Sequence, residues 1–450
     1  MAEQNELATG SIGKLLLKLS IPAILAQLIN ALYNIVDRMY IGHIEGIGAV
    51  ALTGVGLTFP IIMLISAFAA LVGMGGAPLS SIKMGEGNNE KAEKILGNCT
   101  AMLLLLAVVL TVFFMVFKDP LLMLFGASEN TLPYASAYLT IYLIGTIFVQ
   151  ISLGLNAFIN SQGFAKMGMI TVLIGAVLNI ILDPIFIFVF DMGVRGAALA
   201  TIISQAVSAC WVLRFLCGKK SILRIKLQNF RFRKDFILPA LALGLSSFVM
   251  QSTESLINIV LNSSLQKYGG DIAVGSMTII TSIMQIFLMP LTGLTQGAQP
   301  IVGFNFGAQQ FDRVKKTFRL LLGACLTFSI TLWASIMLFP GLFAAIFSND
   351  AALIEHTIPC MRIYMAAMCL MGAQIACQQT FLAVGQAKIS LFLAMLRKVV
   401  LLIPLVYILA VPFGVTGIFL AEPVADILAV TTTVIVFIVY SKRLFSAAIK

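Results

Sequence analysis

Apolar stretches long enough to cross a bilayer follow one another down the whole chain, separated by short polar breaks. A span needs about 20 predominantly apolar residues. Twelve such runs can be marked, at 15–40, 47–77, 95–117, 132–158, 167–190, 194–217, 237–262, 272–300, 316–339, 359–384, 389–411 and 415–440. The pattern predicts an all-α polytopic membrane protein with twelve transmembrane helices.

The polar residues inside these runs fall in helical register. On the first, Gln27, Asn30, Asn34 and Asp37 are separated by steps of three, four and three, which places them on one face of a helix. A carboxylate near the middle of a membrane helix costs about 2.5–3.5 kcal/mol on insertion scales, and such groups face a bundle interior or a wet cavity. Asp37 is therefore the first functional candidate.

The stripe has a twin. An offset of 217 carries Pro22 to Pro239, Asn30 to Ser247, Asn34 to Gln251 and Asp37 to Glu254. An offset of 222 carries Pro78 to Pro300, Gly85 to Gly307, Asn156 to Gln378 and Gly163-Phe-Ala-Lys166 to Gly385-Gln-Ala-Lys388. Several matches in register mean duplication. Each half holds six spans, an even number, so both enter the membrane the same way and the repeats are parallel, as in transporters whose lobes rock about a midplane site. The expected organisation is a six-helix lobe over 1–217, a basic linker over 218–236 and a second six-helix lobe over 237–450.

Composition agrees, with 60% hydrophobic and 11% charged residues against about a quarter charged in soluble domains. The formal net charge of +10 would suit a nucleic-acid partner, but its placement argues against one. With the N-terminus inside, the inner segments hold most of the cations, among them Lys14, Lys18, Lys83, Lys91, Lys94, Lys166, the cluster from Lys219 to Lys234, Arg313, Lys315, Lys316, Arg319, Lys388, Lys442, Arg443 and Lys450. The outer segments hold Arg38, Lys118, Arg195, Lys267 and Arg362. This is the positive-inside bias, placing both termini in the cytoplasm of a bacterial inner membrane. The basic linker reads as a solvated, lipid-facing strap. The first run carries internal polar residues and lacks a small-residue cleavage site, so it reads as a retained span.

Seven cysteines without a CxxC pair read as packing residues, and His43 and His356, both expected in outer loops, are too few for a metal site.

Further polar sets sit inside other spans. On the fifth, Asn179 and Asp183 stand one turn apart with Pro184 next, and proline frees a carbonyl one turn back. On the sixth, Thr201, Ser204, Gln205 and Ser208 add hydroxyl and amide groups. Together with Asp37 these could form an oxygen cage for sodium or a proton relay, or simply bind helices to one another. In the second half, Gln251, Glu254 and Asn258 lie on the seventh span, Gln374 and Gln378 on the tenth, Arg397 and Lys398 on the eleventh, and Glu422 and Asp426 on the twelfth. Two readings of the last group stay open: a structural salt bridge from Arg397 to Glu422 or Asp426, or a second substrate or cation site. Glu254 fits either a cavity wall or a buried carboxyl. Gln27, Asn30, Asn34, Asn156, Gln205, Gln251, Glu254, Asn258, Gln374 and Gln378 are the substrate-cavity candidates. Gly73, Gly75, Gly76, Pro78, Pro290, Gly293, Gly297 and Pro300 are expected to break or bend the second and eighth spans as hinges.

No HExxH, GxSxG or GxxxxGK[ST] pattern occurs. With no nucleotide site, uphill transport would draw on an ion gradient.

The twelve spans in two repeats, Asp37-Arg-Met-Tyr-Ile-Gly42, the proline-bearing second and eighth spans, Gly163-Phe-Ala-Lys166 and Asn179-Ile-Ile-Leu-Asp183-Pro184 together resemble the multidrug and toxic compound extrusion (MATE) family, and within it the bacterial DinF-like, MepA-type branch. The resemblance covers essentially the whole chain. It implies a V-shaped, two-lobed bundle exporting organic cations and dyes in antiport with protons, sodium or both, without a cofactor. It also implies a cation site at Asp37, Asn179, Asp183 and Thr201, with sodium the one metal such a site would take. The related NorM-like branch uses acids on the seventh and tenth spans. Glu254 matches the first, but Gln374 and Gln378 stand at the second, which counts against a sodium site of that type. Each chain carries both lobes and is expected to work as a monomer on cationic or amphipathic small molecules, in contact with lipid and not with nucleic acid. A lipid-linked-precursor flippase of the same superfamily is the alternative. An intramembrane enzyme is the remote one.

Overall fold

The computed structural model describes residues 2–347 and 350–446; Lys450 lies outside them. Among the described residues every regular element is helical. Seven spans are single helices: Ile12–Gly42, Val50–Gly85, Asn89–Leu124, Ala165–Val189, Gly193–Cys217, Ile272–Gly307 and Phe311–Leu338. An eighth helix, Lys234–Gly270, precedes Ile272–Gly307 across Gly270, which takes a positive φ of 63°. The fourth and tenth spans are bent pairs, Leu132–Ile144 with Thr146–Ser161 at 58° and Ala351–Tyr364 with Met368–Ala383 at 48°.

The remaining stretch, Ala387–Ser441, has 55 residues. At 1.5 Å per residue it would be about 80 Å long, against a hydrocarbon core of about 30 Å. It folds back at Gly414, where φ is 57°. A Cβ placed on Gly417 would lie 1.9 Å from the carbonyl oxygen of Leu409, an atom about 12 Å away along an unbroken helix. Among the described residues the chain therefore makes twelve spans.

Span ends reach beyond the apolar runs. Lys83, Glu90, Lys91 and Lys94 belong to helical turns, because the backbone goes on hydrogen-bonding after the side chains have left the hydrocarbon layer. His356, expected in a loop, lies within Ala351–Tyr364 and bonds Ser276 Oγ at 2.9 Å. The expected breaks in the second and eighth spans are also absent, since Gly48–Gly85 runs through Pro60 and Pro78 and the eighth span through Pro290 and Pro300. The bends at breaks between helices fall in the fourth and tenth spans.

The glycines of the second and eighth spans serve close approach. A Cβ on Gly75 would lie 1.9 Å from Ala240 O, one on Gly244 1.7 Å from Leu71 O, one on Gly85 1.9 Å from Phe304 O and one on Gly307 2.0 Å from Ile82 O. Gly293 and Gly297 abut Ile24 and Ser20 in the same way, at 2.5 Å or less. Gly75 and Gly297 are counterparts at offset 222, as are Gly85 and Gly307, so the seam between the lobes has a pseudo-twofold character. Lipid tails are as apolar as leucine, so membrane helices gain by packing backbone against backbone through small residues. Ser20 Oγ donates to Leu294 O at 3.1 Å, and Gln27 Nε2 donates to Gln296 Oε1 at 3.3 Å across the seam.

These contacts crowd toward one face, which also gathers the N-terminal helix Ala2–Thr9, the inter-span turns and the linker. Arg313 donates to Asn305 Oδ1 at 2.8 Å, to Leu7 O at 3.0 Å and to Gly10 O at 2.8 Å. The linker, expected as a solvated, lipid-facing strap, is in addition pinned to the first lobe. Gln162 Oε1 accepts from Ser221 Oγ and from the amides of Ile222 and Leu223 at 3.0, 2.9 and 2.9 Å. Glu93 takes Lys226 Nζ at 2.5 Å, and Asn98 Oδ1 takes the amide of Arg233 at 2.8 Å. Ser221 and Leu223 are buried while Lys219, Lys220 and Arg224 stay exposed. Polar backbone needs partners wherever water is excluded, and the ends of the third and fourth spans supply them. The turns on the opposite face meet as well, with a Cβ on Gly269 reaching 2.6 Å from Val415.

Replacing Gly244 by leucine should force the seam apart by overpacking, at about 1–3 kcal/mol or more. The expected outcome is a thermal midpoint several degrees lower for the purified protein, whereas Gly323→Leu, where a Cβ meets nothing within 4 Å, should melt like the parent.

Candidate functional site

The first lobe brings Asp37, Asn179, Asp183 and Thr201 together. Asn179 and Asp183 lie one turn apart on the fifth span, where Pro184 ends the α-helical geometry and the chain continues as the π-helical turn Ile185–Val189. Asn179 Nδ2 donates to Asp183 Oδ1 at 3.0 Å and to Thr201 Oγ1 at 3.4 Å, and Thr201 Oγ1 donates to Ala197 O at 3.0 Å. Asp183 is 0% exposed and Asn179 2%. The carboxyl of Asp37, arriving from the first span, faces that of Asp183. Asp37 Oδ1, Asp183 Oδ2 and Asn179 Oδ1 are buried with no hydrogen-bond partner.

A carboxylate has acceptors only, so two of them facing each other repel unless a proton or a cation lies between. Arg38, the next residue, acts on Asp37 through its charge while its guanidinium sits over the Phe59 ring at 5.0 Å. Tyr33 and Tyr138 close around the acids. Tyr33 was legible, since it lies one turn before Asp37 on the same face; Tyr138, on the fourth span, had no sequence signal.

Beside the acids lies a cavity of about 50 Å³ lined by Asn30, Tyr33, Asn156, Asn179, Thr201 and Gln205. It adjoins a second of about 170 Å³ between the lobes, walled by Gln27, Asn30, Asn156, Asn160, Gln296 and Gln299. Gln205 Oε1 accepts from Ser152 Oγ at 2.6 Å, and Asn156 Nδ2 donates to Gly168 O at 3.3 Å. Asn34 lines neither cavity and turns back on its own helix, donating to Asn30 O at 2.7 Å. Asn258 does the same to Glu254 O at 3.0 Å. An asparagine one turn along can always satisfy itself this way.

In the second lobe the charges pair. Arg397 Nε donates to Asp426 Oδ1 at 2.6 Å and Nη2 to Glu422 Oε1 at 3.0 Å. The side chains of all three are under 10% exposed. Lys398 Nζ meets Glu254 Oε2 at 2.6 Å, a pair the sequence reading missed. The only sequence signal for it was a bare cation at membrane depth. Both basic residues lie in the π-helical turn Leu396–Leu402, from which Arg397 reaches the twelfth span and Lys398 the seventh. A cavity of about 500 Å³ opens beside them, walled by Gln251, Glu254, Gln374, Gln378, Lys398 and several methionines. Gln378 Nε2 is held by Ser390 O at 2.8 Å. All seven cysteines are free, and among the described residues no group of three or more His, Cys, Asp or Glu forms a metal-binding cluster.

Twelve spans in two duplicated lobes, with buried charge beside internal cavities, define a polytopic membrane transporter. The MatE family model matches the chain twice, over residues 22–185 and 246–408, and the chain belongs to that family. The double match is the duplication read from the offsets. The multidrug export protein MepA of Staphylococcus saprophyticus is 26% identical over 434 residues, covering 96% of this chain and 95% of that one. MepA of Staphylococcus aureus is 25% identical, covering 96% and 94%. Among solved structures, a MATE protein in a bent conformation superposes with a TM-score of 0.93 at 24% identity over the whole of both chains. An outward-facing multidrug resistance MATE transporter superposes at 0.89 with 25% identity, covering 98% of each.

Removing Arg397 would strand two buried carboxylates, which costs about 3–5 kcal/mol. Arg397→Met should therefore lower stability by that order in equilibrium unfolding. Adding Glu422→Gln and Asp426→Asn should recover most of it.

Proposed function

We propose that this chain is a secondary active exporter that expels organic cations and amphipathic dyes in antiport with protons or sodium ions. The supporting observation is the Asp37–Asp183 pair, two carboxyl groups facing each other, each with one buried oxygen that has no hydrogen-bond partner. Occupancy by a cation or proton relieves their repulsion, and loss of that occupant leaves an acidic niche for a cationic substrate. Binding at one position thus opposes binding at the other, a reciprocal coupling free energy. Asn179 holds Asp183 and bonds Thr201, and the two offer neutral oxygen ligands beside the acids.

The basic face is cytoplasmic in this reading, by the positive-inside bias, and the glycine seam then seals the cytoplasmic side while the lobes part outward. Alternating access follows from the lobes, taken as residues 1–217 and 237–450, rocking about that seam in a monomer. One elementary charge crossing 100 mV supplies about 2.3 kcal/mol, more than a tenfold gradient at about 1.4 kcal/mol per decade.

In proteoliposomes, Asp37→Asn and Asp183→Asn should each abolish ethidium efflux driven by an imposed proton or sodium gradient, with both variants eluting and melting as folded protein. Efflux at the parent rate in both variants would remove the acid pair from the coupling. Imposing the two gradients separately identifies the ion.

A further inference from the structure

The second-lobe cavity is built on the opposite principle from the first-lobe site. Its volume of about 500 Å³ is in the range of pockets that enclose drug-sized ligands. Met63, Met250, Met284 and Met371 give it soft apolar walls that repack around differently shaped guests. At offset 222, Gly175 and Ala176 of the first lobe become Arg397 and Lys398. Where the first lobe leaves space beside its acids, the second has placed two cations.

The two cations differ in availability. Arg397 is bound on two sides by Glu422 and Asp426, all three side chains buried. Lys398 has one carboxylate partner, Glu254, and that pair is lopsided: the lysine side chain is 9% exposed and the glutamate side chain 58%. An exposed carboxylate can exchange its partner for water at little cost. A buried ammonium left alone cannot. A ligand cation taking Lys398's place on Glu254 would strand the ammonium, whereas a ligand acid taking Glu254's place on Lys398 releases only the more exposed of the two groups.

We propose that this cavity is a binding site for amphiphiles carrying a carboxylate, whose acid group displaces Glu254 from Lys398 while the apolar body lies among the methionines. Glu254 acts as the resident competitor that fills the site when no ligand is there. The site widens the substrate chemistry beyond the organic cations proposed above.

The test is calorimetric titration of the full-length protein in lipid nanodiscs with sodium dodecanoate, using dodecyltrimethylammonium and dodecanol as chain-matched controls. Dodecanoate should bind saturably and more tightly than either control. Lys398→Met should weaken it at least tenfold, and Glu254→Gln, which removes the competitor, should tighten it about tenfold. Should Lys398→Met fail to fold, the Glu254→Gln titration decides alone. 2-Naphthoate run in parallel separates an aromatic acid from a fatty acid as the source, and binding of either through Lys398 supports the site. Absence of saturable binding by both acids, tighter binding of the quaternary ammonium, or weaker dodecanoate binding in Glu254→Gln overturns it. No ion gradient is imposed, so the result is independent of whether Asp37 and Asp183 couple to one.

Discussion

Backbone against backbone is the contact on which the two lobes depend. Helices in lipid gain nothing from hiding apolar side chains from one another, so the lobes meet where side chains are absent. Gly75 on Ala240, Gly244 on Leu71, Gly85 on Phe304 and Gly307 on Ile82 bring main chains within a distance no Cβ would allow. The seam is narrow and lies toward the basic face, where Arg313 also ties Leu7 and Gly10 to the turn after the eighth span. A seam whose closest approaches are backbone to backbone, with side-chain pairs such as Gln27–Gln296 across it, suits rocking as a pivot.

On that shared frame the lobes have divided their electrostatics. The first lobe sets the buried Asp183 against the partly buried Asp37 and leaves small residues beside them. The second lobe carries its own cations: Arg397 lies within hydrogen-bonding distance of both Glu422 and Asp426, the ion-paired arrangement of the two read from the sequence.

Several site residues were legible because a helix maps spacing onto a face. Steps of three and four put Asn30, Asn34 and Asp37 on one stripe, and Asn179 with Asp183 on another. Spacing does not say whether a neighbour satisfies itself. Asn34 and Asn258 look like cavity groups in sequence, yet each donates to a carbonyl one turn back. Glycine carries the same ambiguity: at Gly75 and Gly297 the missing side chain makes room for another helix, and the helices run unbroken through Pro78 and Pro300.

The sequence by itself determined the number of spans, the duplication, the basic face and the presence of charge at membrane depth. Hydropathy, register and offsets are properties of one chain read along its length, and a bilayer punishes any departure from them. Which acid faces which, that Lys398 takes Glu254 while Arg397 takes two partners, and that the glycines form a seam were decided only by tertiary structure. Those outcomes depend on how helices from distant parts of the chain rotate and approach, and a rotation of one residue on either helix would change every partner without altering the hydropathy of either.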